Sequence, residues 1–336
     1  MKTNRLLSIC VPTYRRPKKL AQMLGSLAEA LKASEFHEDI EILIQDNGSA
    51  DETQFVIERS LRSFSTIEVR FEMNAKNLGL DGNFLCLMRR ATGDYILFLS
   101  DDDVVCPAGL NELVRTLEST RPGFVLTNRT NLRDGIHSDG LRRFDWSAAK
   151  SIDWKEAVEI LGTELTFMSV IVYQRKFIDI EKLTEYDGTL LVISRAFLQG
   201  ITGGRYGIRL PEPILMYRLA SSGGYSRFRV FLVEFERVIC QARDEGLSSR
   251  SYHAIIRSHL WHYMVGAAIE ARLKPNDYSY EANLHVVRMV LKVTKANLLT
   301  LWYSSKLLSV LCAPKVLVIA LARRREKIYR ERIDVA

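Results

Sequence analysis

Three aspartates stand side by side in YILFLSDDDVVCP (95–107), at Asp101, Asp102 and Asp103. Adjacent carboxylates repel, so a run of three needs an offsetting charge. Carboxylate oxygens suit Mg²⁺ or Mn²⁺, and magnesium typically takes one or two protein carboxylates and leaves its other positions to substrate phosphates. Side chains alternate at a strand end, so one or two of the three would touch such a cation. An Asp-rich loop capping the helix that begins near Pro107 is the plainer alternative, although a cap needs only one Asp. In QDNGSADET (45–53), Asp46 and Asn47 end an apolar run, Gly48 permits a tight turn and Asp51 can cap a following helix. A carboxylate there can also accept from a ribose hydroxyl or a base N–H. In VPTYRRP (11–17), Arg15 and Arg16 precede a helix opened by Pro17, where cations and free backbone N–H groups suit phosphate. NAKNLGLDGNF (74–84) is a Gly- and Asn-rich turn without a phosphate-loop or dinucleotide spacing. His259 and His262 share i,i+3 spacing but sit in a helical region that reads as ordinary helix surface.

The elements that must position these residues alternate. Strand signals at 6–14, 40–49, 67–74 and 95–100 are separated by helical spacing at 17–33, 51–64, 82–93 and 107–120. Such alternation predicts a parallel, doubly wound sheet, in which ligands bind beyond the carboxyl ends of the strands. Thr13, Asp46 and Asp101 to Asp103 all fall at such ends. Farther on, GFVLTNRTNL and LTFMSVIVYQ read as strands, 187–200 as a helix, and 206–220 as a strand pair broken by PEP. From about residue 227 the pattern is mainly helical, and SSGGYS (221–226) is the candidate linker.

The composition, 47% hydrophobic and 26% charged, is that of a folded globular chain. Five scattered cysteines without CxxC spacing argue against a disulfide framework or a zinc site and for a reducing compartment. The short apolar run near the start reads as a first strand and not as a signal peptide. The net charge of +7 is concentrated toward LARRREKIYRERI, after the apolar run 307–322. That run is too short to span a bilayer. It can lie with its basic neighbour on an anionic membrane surface, or form a core helix followed by a solvated basic one. Basic residues without interleaved aromatics, and the lack of a reading module, argue against nucleic-acid binding.

The four segments VPTYRR, DNGSADET, NLGLDGN and SDDDVVCP, in this order, resemble the motifs of the inverting family 2 glycosyltransferases. The resemblance covers roughly residues 6–220 and implies a GT-A fold, an α/β doubly wound mixed sheet, here with a helical C-terminal extension. It implies a catalytic domain over 1–222 and a separate helical region over 223–336. Pro12, Thr13, Tyr14 and Asp46 would hold the base and ribose of a nucleoside-diphosphate sugar. Arg16, Asn47, Asn77 and Gly79 would belong to the same donor site. The metal-binding Asp of the family lies five residues before the Pro, which is Asp102 here, with Asp103 beside the metal and Asp101 near the ribose or donor sugar. The implied cofactor is Mg²⁺ or Mn²⁺. Ser100 stands where the commoner motif has its first Asp.

The family also carries an acidic pair, a Gly and then a PEP-containing strand. EYDGTLLVISRAFLQG followed by LPEPILMYRLA places Asp187 at the position of the catalytic base, with Glu185 as the alternative because Tyr186 replaces the other acid. A base is needed to take the acceptor hydroxyl proton. The His that usually follows YR is absent, and Leu219 and Ala220 stand there. The chain also resembles O-antigen sugar transferases of the abequosyltransferase-like group. That implies a lipid-linked or glycan acceptor and a cytoplasmic enzyme, peripheral on the inner membrane face. A nucleotidyltransferase is the rival enzyme class, but it would carry a Gly-rich loop after the first strand. A sugar-nucleotide-binding protein without a base is the non-enzymatic rival.

Overall fold

The computed structural model describes residues 5–32, 39–64, 67–132, 137–218, 229–273, 305 and 307–335. The expected linker 221–226, the junction at 222/223 and the pair Leu219 and Ala220 lie outside them. The chain divides into two compact units, one of Met1–Ala157 with Phe167–Ser221 and one of Val158–Thr166 with Ser222–Ala336.

In the first unit, β1 (Leu7–Thr13), α1 (Pro17–Lys32), β2 (Ile40–Asp46), α2 (Thr53–Leu61), β3 (Glu68–Met73), α3 (Gly79–Arg90) and β4 (Tyr95–Phe98) alternate as expected. They are followed by β5 (Val104–Val105), α4 (Pro107–Thr120), β6 (Phe124–Asn131) and β7 (Lys150–Asp153). Helix α5 (Trp154–Leu161) starts in this unit and ends in the other, and β8 (Ile171–Gln174), α6 (Ile180–Thr184), α7 (Val192–Gly204) and β9 (Tyr206–Tyr217) follow in the first. The sheet runs β3-β2-β1-β4-β8-β6-β9-β5, with β7 also on β9. Its first four strands are parallel, and β4 meets β8 antiparallel. This is the mixed GT-A sheet that the motifs imply.

Burial explains the strand sequences. β1 and β2 are buried along their whole length, which helices on both faces require, so their apolar residues run on without alternating. β3 is an edge strand and carries Glu68, Arg70 and Glu72. Helix α1 opens with Pro17, where a missing N–H is harmless, and buries Leu20, Met23, Leu24, Leu27 and Leu31 at helical spacing. Full burial of each such side chain stabilises by about 1.5–3 kcal/mol.

Two features mark the carboxyl end of the sheet. After β1 the chain pairs to one side with β2, and the later β4 pairs on the other side, so β1/β4 is the point where strand order reverses. The β1/β4 register covers only Leu7–Cys10 opposite Tyr95–Phe98. Pro12 lies beyond it, where its lack of a donor leaves no ladder bond broken.

Several sequence expectations need correction. The segment 206–220 is one strand and not a pair. On one edge of β9, β7 covers Tyr206–Arg209 and β5 covers Leu215–Met216, so Pro211 and Pro213 fall between them. On the other edge the β6 register shifts at Asn128, whose Nδ2 donates to the Pro211 carbonyl at 3.0 Å. The helix expected from 187 starts at Val192, because Gly188 and Leu190 have left-handed φ of 81° and 64°. The helix expected over 82–93 is Gly79–Arg90 and ends where Ala91 turns extended. The strand expected in LTFMSVIVYQ forms only over Ile171–Gln174. β5 and β7 are too short to show a pattern.

The second unit is helical where described, with α8 (Phe235–Asp244), α9 (Ser249–Ser258), α10 (Val265–Leu273) and a helix over Lys315–Val335. His259 is buried there, its ring nitrogens meeting the Thr163 hydroxyl at 2.9 Å and the Phe231 carbonyl, and burial pushes its pKa down to about 4. His259 is therefore a neutral core residue and not the surface residue its spacing suggests. Among the described residues no helix is long and apolar enough to cross a membrane.

Candidate active site

The site lies within the first unit, at the carboxyl ends of β1, β2 and β4. Asp101, Asp102 and Asp103 leave β4 in a turn, and all three are buried. Each meets a different set of partners. Asp101 accepts from the Thr13 hydroxyl at 2.8 Å and from Arg16 Nη1 at 3.0 Å. Asp102 accepts from the Ser100 hydroxyl at 2.6 Å through one oxygen. Its other oxygen faces Arg16 Nη1 at 3.3 Å and Lys19 Nζ at 3.4 Å. Asp103 accepts from the Arg218 backbone N–H at 3.1 Å. Its second oxygen, Oδ2, is buried without a hydrogen-bond partner.

These differences set the charge states. Burial pushes the Asp103 carboxyl up to about 7, although the Arg218 N–H opposes the shift. Burial also raises Asp101, against the pull of Arg16 and Thr13. Arg16 is held above its ordinary value: burial of the guanidinium opposes this, but Asp101 and Asp102 outweigh it. A strand end that would repel itself is thus stitched by cations.

Helix α1 and the residue before it supply that stitching. Arg16, Lys19, Gln22 and Ser26 recur at helical spacing. Arg16 and Lys19 hold the acids, Gln22 accepts from Arg218 Nη2, and the Ser26 hydroxyl accepts from the Val105 N–H at 2.9 Å. Arg218, one residue past β9, also donates from Nε to the Asp102 carbonyl at 2.9 Å. Lys19 and Arg218 were not among the expected site residues. The i,i+3 step from Arg16 was the available signal for the first, and the YR dipeptide for the second.

Asp46 ends β2, fully buried, and is closed by the backbone and hydroxyl of Ser49, the hydroxyl at 2.6 Å. Burial raises its pKa in spite of those bonds. Gly48 follows with φ of 75°, and a Cβ there would meet the Lys76 carbonyl carbon at 2.9 Å. Pro12 is buried beside β2, and Tyr14 is half-buried under the Arg15 guanidinium at 5.1 Å. Asn47 uses its whole side chain on the protein. Nδ2 donates to Asn77 Oδ1 and to the Gly79 carbonyl, while Oδ1 accepts from Asn74 Nδ2 and the Leu78 N–H, all at 2.9 Å. An amide has no further capacity than two donors and two lone pairs. Asn47, Asn77 and Gly79 therefore form one brace that fixes the loop before α3.

Asp187 is exposed on the turn between α6 and α7, as is Glu185. That turn is held by Asp81 of α3, a buried carboxylate that was not singled out in NLGLDGN. It accepts from the Leu190 N–H at 2.6 Å and the Val192 N–H at 3.2 Å, and so caps α7 from a distant segment. Burial pushes Asp81 up to about 6, and the Asp187 charge adds to the rise.

Among the described residues no three acidic, histidine or cysteine side chains form a ready metal cage. Magnesium and manganese sites that borrow ligands from substrate phosphates need only one or two carboxylates. The orphaned oxygen of Asp103 and the hard-oxygen character of Asp102 fit that kind of site.

The family model for glycosyl transferase family 2 matches residues 8–198. The abequosyltransferase RfbV of Salmonella typhimurium is 36% identical over 114 residues, 34% of this chain and 33% of that one. The GalNAc(5)-diNAcBac-PP-undecaprenol beta-1,3-glucosyltransferase of Campylobacter jejuni is 28% identical over 109 residues, 32% and 33% of the two chains. The matches thus span about a third of these relatives. Among solved structures, S. aureus TarS 1-349 in complex with UDP superposes with a TM-score of 0.65 at 14% identity, covering 91% of this chain and 89% of that one. The mannosyltransferase PcManGT of Pyrobaculum calidifontis, in complex with GDP-Man and Mn²⁺, gives a TM-score of 0.53 at 13% identity, over 94% and 88% of the chains. The structures support the GT-A fold, and the family match runs from β1 to the middle of α7, taking in Asp46, Asp101 to Asp103 and Asp187. The chain belongs to glycosyl transferase family 2.

Proposed function

We propose that the chain is an inverting glycosyltransferase. It moves a sugar from a nucleoside diphosphate onto a hydroxyl of a glycan or polyprenyl-linked acceptor of the O-antigen type. The observation that carries this reading is the buried Asp101–Asp103 turn bonded to Thr13 and Arg16 at the carboxyl ends of β1 and β4. The relatives support the acceptor class, since one is an abequosyltransferase and another a glucosyltransferase named for an undecaprenol-linked substrate. UDP in TarS and GDP-Man in the mannosyltransferase support the donor class.

Asp102 and Asp103 would hold a Mg²⁺ or Mn²⁺ ion, which supplies positive charge beside the departing diphosphate. The chain's own groups do the rest. Thr13 fixes Asp101 toward the donor, and Asp46 offers a carboxylate to the ribose or base. Pro12 and Tyr14 form the wall beside it. Asp187 takes the proton of the acceptor hydroxyl as that oxygen attacks the anomeric carbon. The bond from that carbon to the diphosphate oxygen breaks on the opposite face, and the configuration inverts. Asp187 suits this task because it is exposed to an incoming acceptor yet sits on a turn anchored by Asp81.

The test is a screen of UDP-, GDP-, CDP- and dTDP-sugars for Mn²⁺-dependent binding and slow hydrolysis. Asp102→Ala is expected to abolish the metal dependence. Asp187→Ala is expected to keep donor binding and lose transfer to acceptor. Donor binding that survives Asp102→Ala unchanged overturns the metal assignment, and full transfer by Asp187→Ala moves the base to Glu185.

The same reading puts the protein in the cytoplasm, at the inner membrane face. Its support is the helix Lys315–Val335, which exposes Val316, Leu317 and Leu321 at 75%, 55% and 40% and follows them with exposed Arg323 and Arg324. An apolar turn followed by basic residues suits an anionic lipid surface.

A further inference from the structure

Asp101 and Asp102 are fixed, with side chains only 6% and 5% accessible. Their cationic partners are not. Arg16, just before α1, and Lys19, in its first turn, each have a long side chain 36% accessible. Their reach to the acids, 3.0 to 3.4 Å, is that of loose ion pairs and not of a closed bidentate clamp. The Asp102 oxygen they share is the one that Ser100 leaves open. A divalent cation that ligates this oxygen must take it from both side chains. If they stayed, a doubly charged ion would sit against two further positive charges, four in all, and the turn has only three carboxylates to offset them.

We infer that Arg16 and Lys19 are exchangeable counter-cations of the acidic turn. They guard Asp102 until a divalent cation displaces them, and on release the same two side chains pair with the diphosphate of the donor. Cation and nucleotide then bind cooperatively with no large rearrangement, because each makes room or charge for the other. By linkage the coupling is reciprocal, so nucleotide raises cation affinity by the same factor that the cation raises nucleotide affinity. The inference rests on the proposed function only in taking a divalent cation and a nucleoside diphosphate as the ligands.

The experiment reads Mn²⁺ binding directly, from loss of the free-ion electron paramagnetic resonance signal, on the full chain with and without saturating UDP or GDP. The variants are Arg16→Gln with Lys19→Gln, Lys19→Gln alone, and Lys18→Gln as control. Lys18 is exposed on the same turn of α1, so it removes equal charge away from the acids. Without nucleotide the double variant should bind Mn²⁺ about tenfold more tightly than wild type, and Lys19→Gln about threefold, from the loss of competing ion pairs. Lys18→Gln should match wild type. The enhancement of Mn²⁺ affinity by nucleotide should shrink in the double variant by a similar factor. Affinity in the double variant no greater than in Lys18→Gln, or an undiminished nucleotide effect, overturns the exchange. Absence of Mn²⁺ binding in every protein overturns the exchange together with the metal assignment. Donor binding in the sugar-nucleotide screen would still stand apart from either result.

Discussion

Replacing Asp81 tests whether a carboxylate on α3 holds the turn that carries Asp187. In the native chain Asp81 accepts from the Leu190 and Val192 N–H groups at 2.6 and 3.2 Å, and Leu191, the residue before α7, offers no side-chain cap of its own. Hydrogen bonds to a charged acceptor contribute about 1.5–3 kcal/mol each. Against them stands burial, which with the lesser contribution of Asp187 lifts the carboxyl from 3.8 to about 6. Because the folded value is raised, Asp81 contributes stability in its protonated form. That contribution is complete below about pH 3.8 and is lost as pH rises through 6. A rise of this size is worth about 3 kcal/mol in total, of which about 1.5 kcal/mol falls between pH 5 and pH 7.5. Asp81→Asn removes the titration. Urea unfolding at the two pH values should therefore show wild type losing about 1.5 kcal/mol relative to the variant. Asp81→Ala, which leaves two buried N–H groups unpaired, should lose roughly 2–4 kcal/mol at pH 7.5. It should also speed hydrogen exchange at Leu190 and Val192. Parallel pH profiles for wild type and Asp81→Asn, with unchanged protection of those amides in Asp81→Ala, would refute the anchoring role.

Three further outcomes are expected. Asp103→Asn can keep the bond from the Arg218 N–H and removes a carboxyl raised to about 7, so its stability relative to wild type should rise by roughly 2–3 kcal/mol from pH 5 to pH 8. The sign follows from a carboxyl raised to about 7, whose stabilising protonated form is lost as pH rises; urea unfolding at both pH values checks it. Gly48→Ala combines a φ of 75° with a Cβ pressed to 2.9 Å from the Lys76 carbonyl carbon, so it should cost about 1–3 kcal/mol and lower the melting temperature along with donor affinity. Leu317→Glu with Leu321→Glu should reduce flotation with vesicles containing anionic phosphatidylglycerol, and high salt should reduce flotation of the wild type. Equal flotation of wild type and variant would exclude that helix as the docking surface.

The sequence by itself determined the strand–helix alternation and the placing of acids at strand ends. Both are local properties. Apolar runs in β1, β2 and β4 mark buried parallel strands, and the residues at which the runs stop, Thr13, Asp46 and Asp101, must then share one edge of the sheet. Motif order carried the resemblance further, to a family and to Asp102 within the triplet. Tertiary structure decided what each polar group has left to offer. Asn47 sits in a motif yet spends all four of its hydrogen-bonding positions on the loop before α3. Asp81 caps a helix that starts 111 residues later, and Arg218 reaches Asp103 from 115 residues away. No local period encodes such pairs, because they are fixed by how β9 and α7 return to the sheet. The three aspartates are chemically identical in the chain. Only the turn after β4 makes them unlike, giving Asp101 to Thr13 and Arg16, Asp102 to exchangeable cations, and Asp103 to a buried position with one oxygen unpaired.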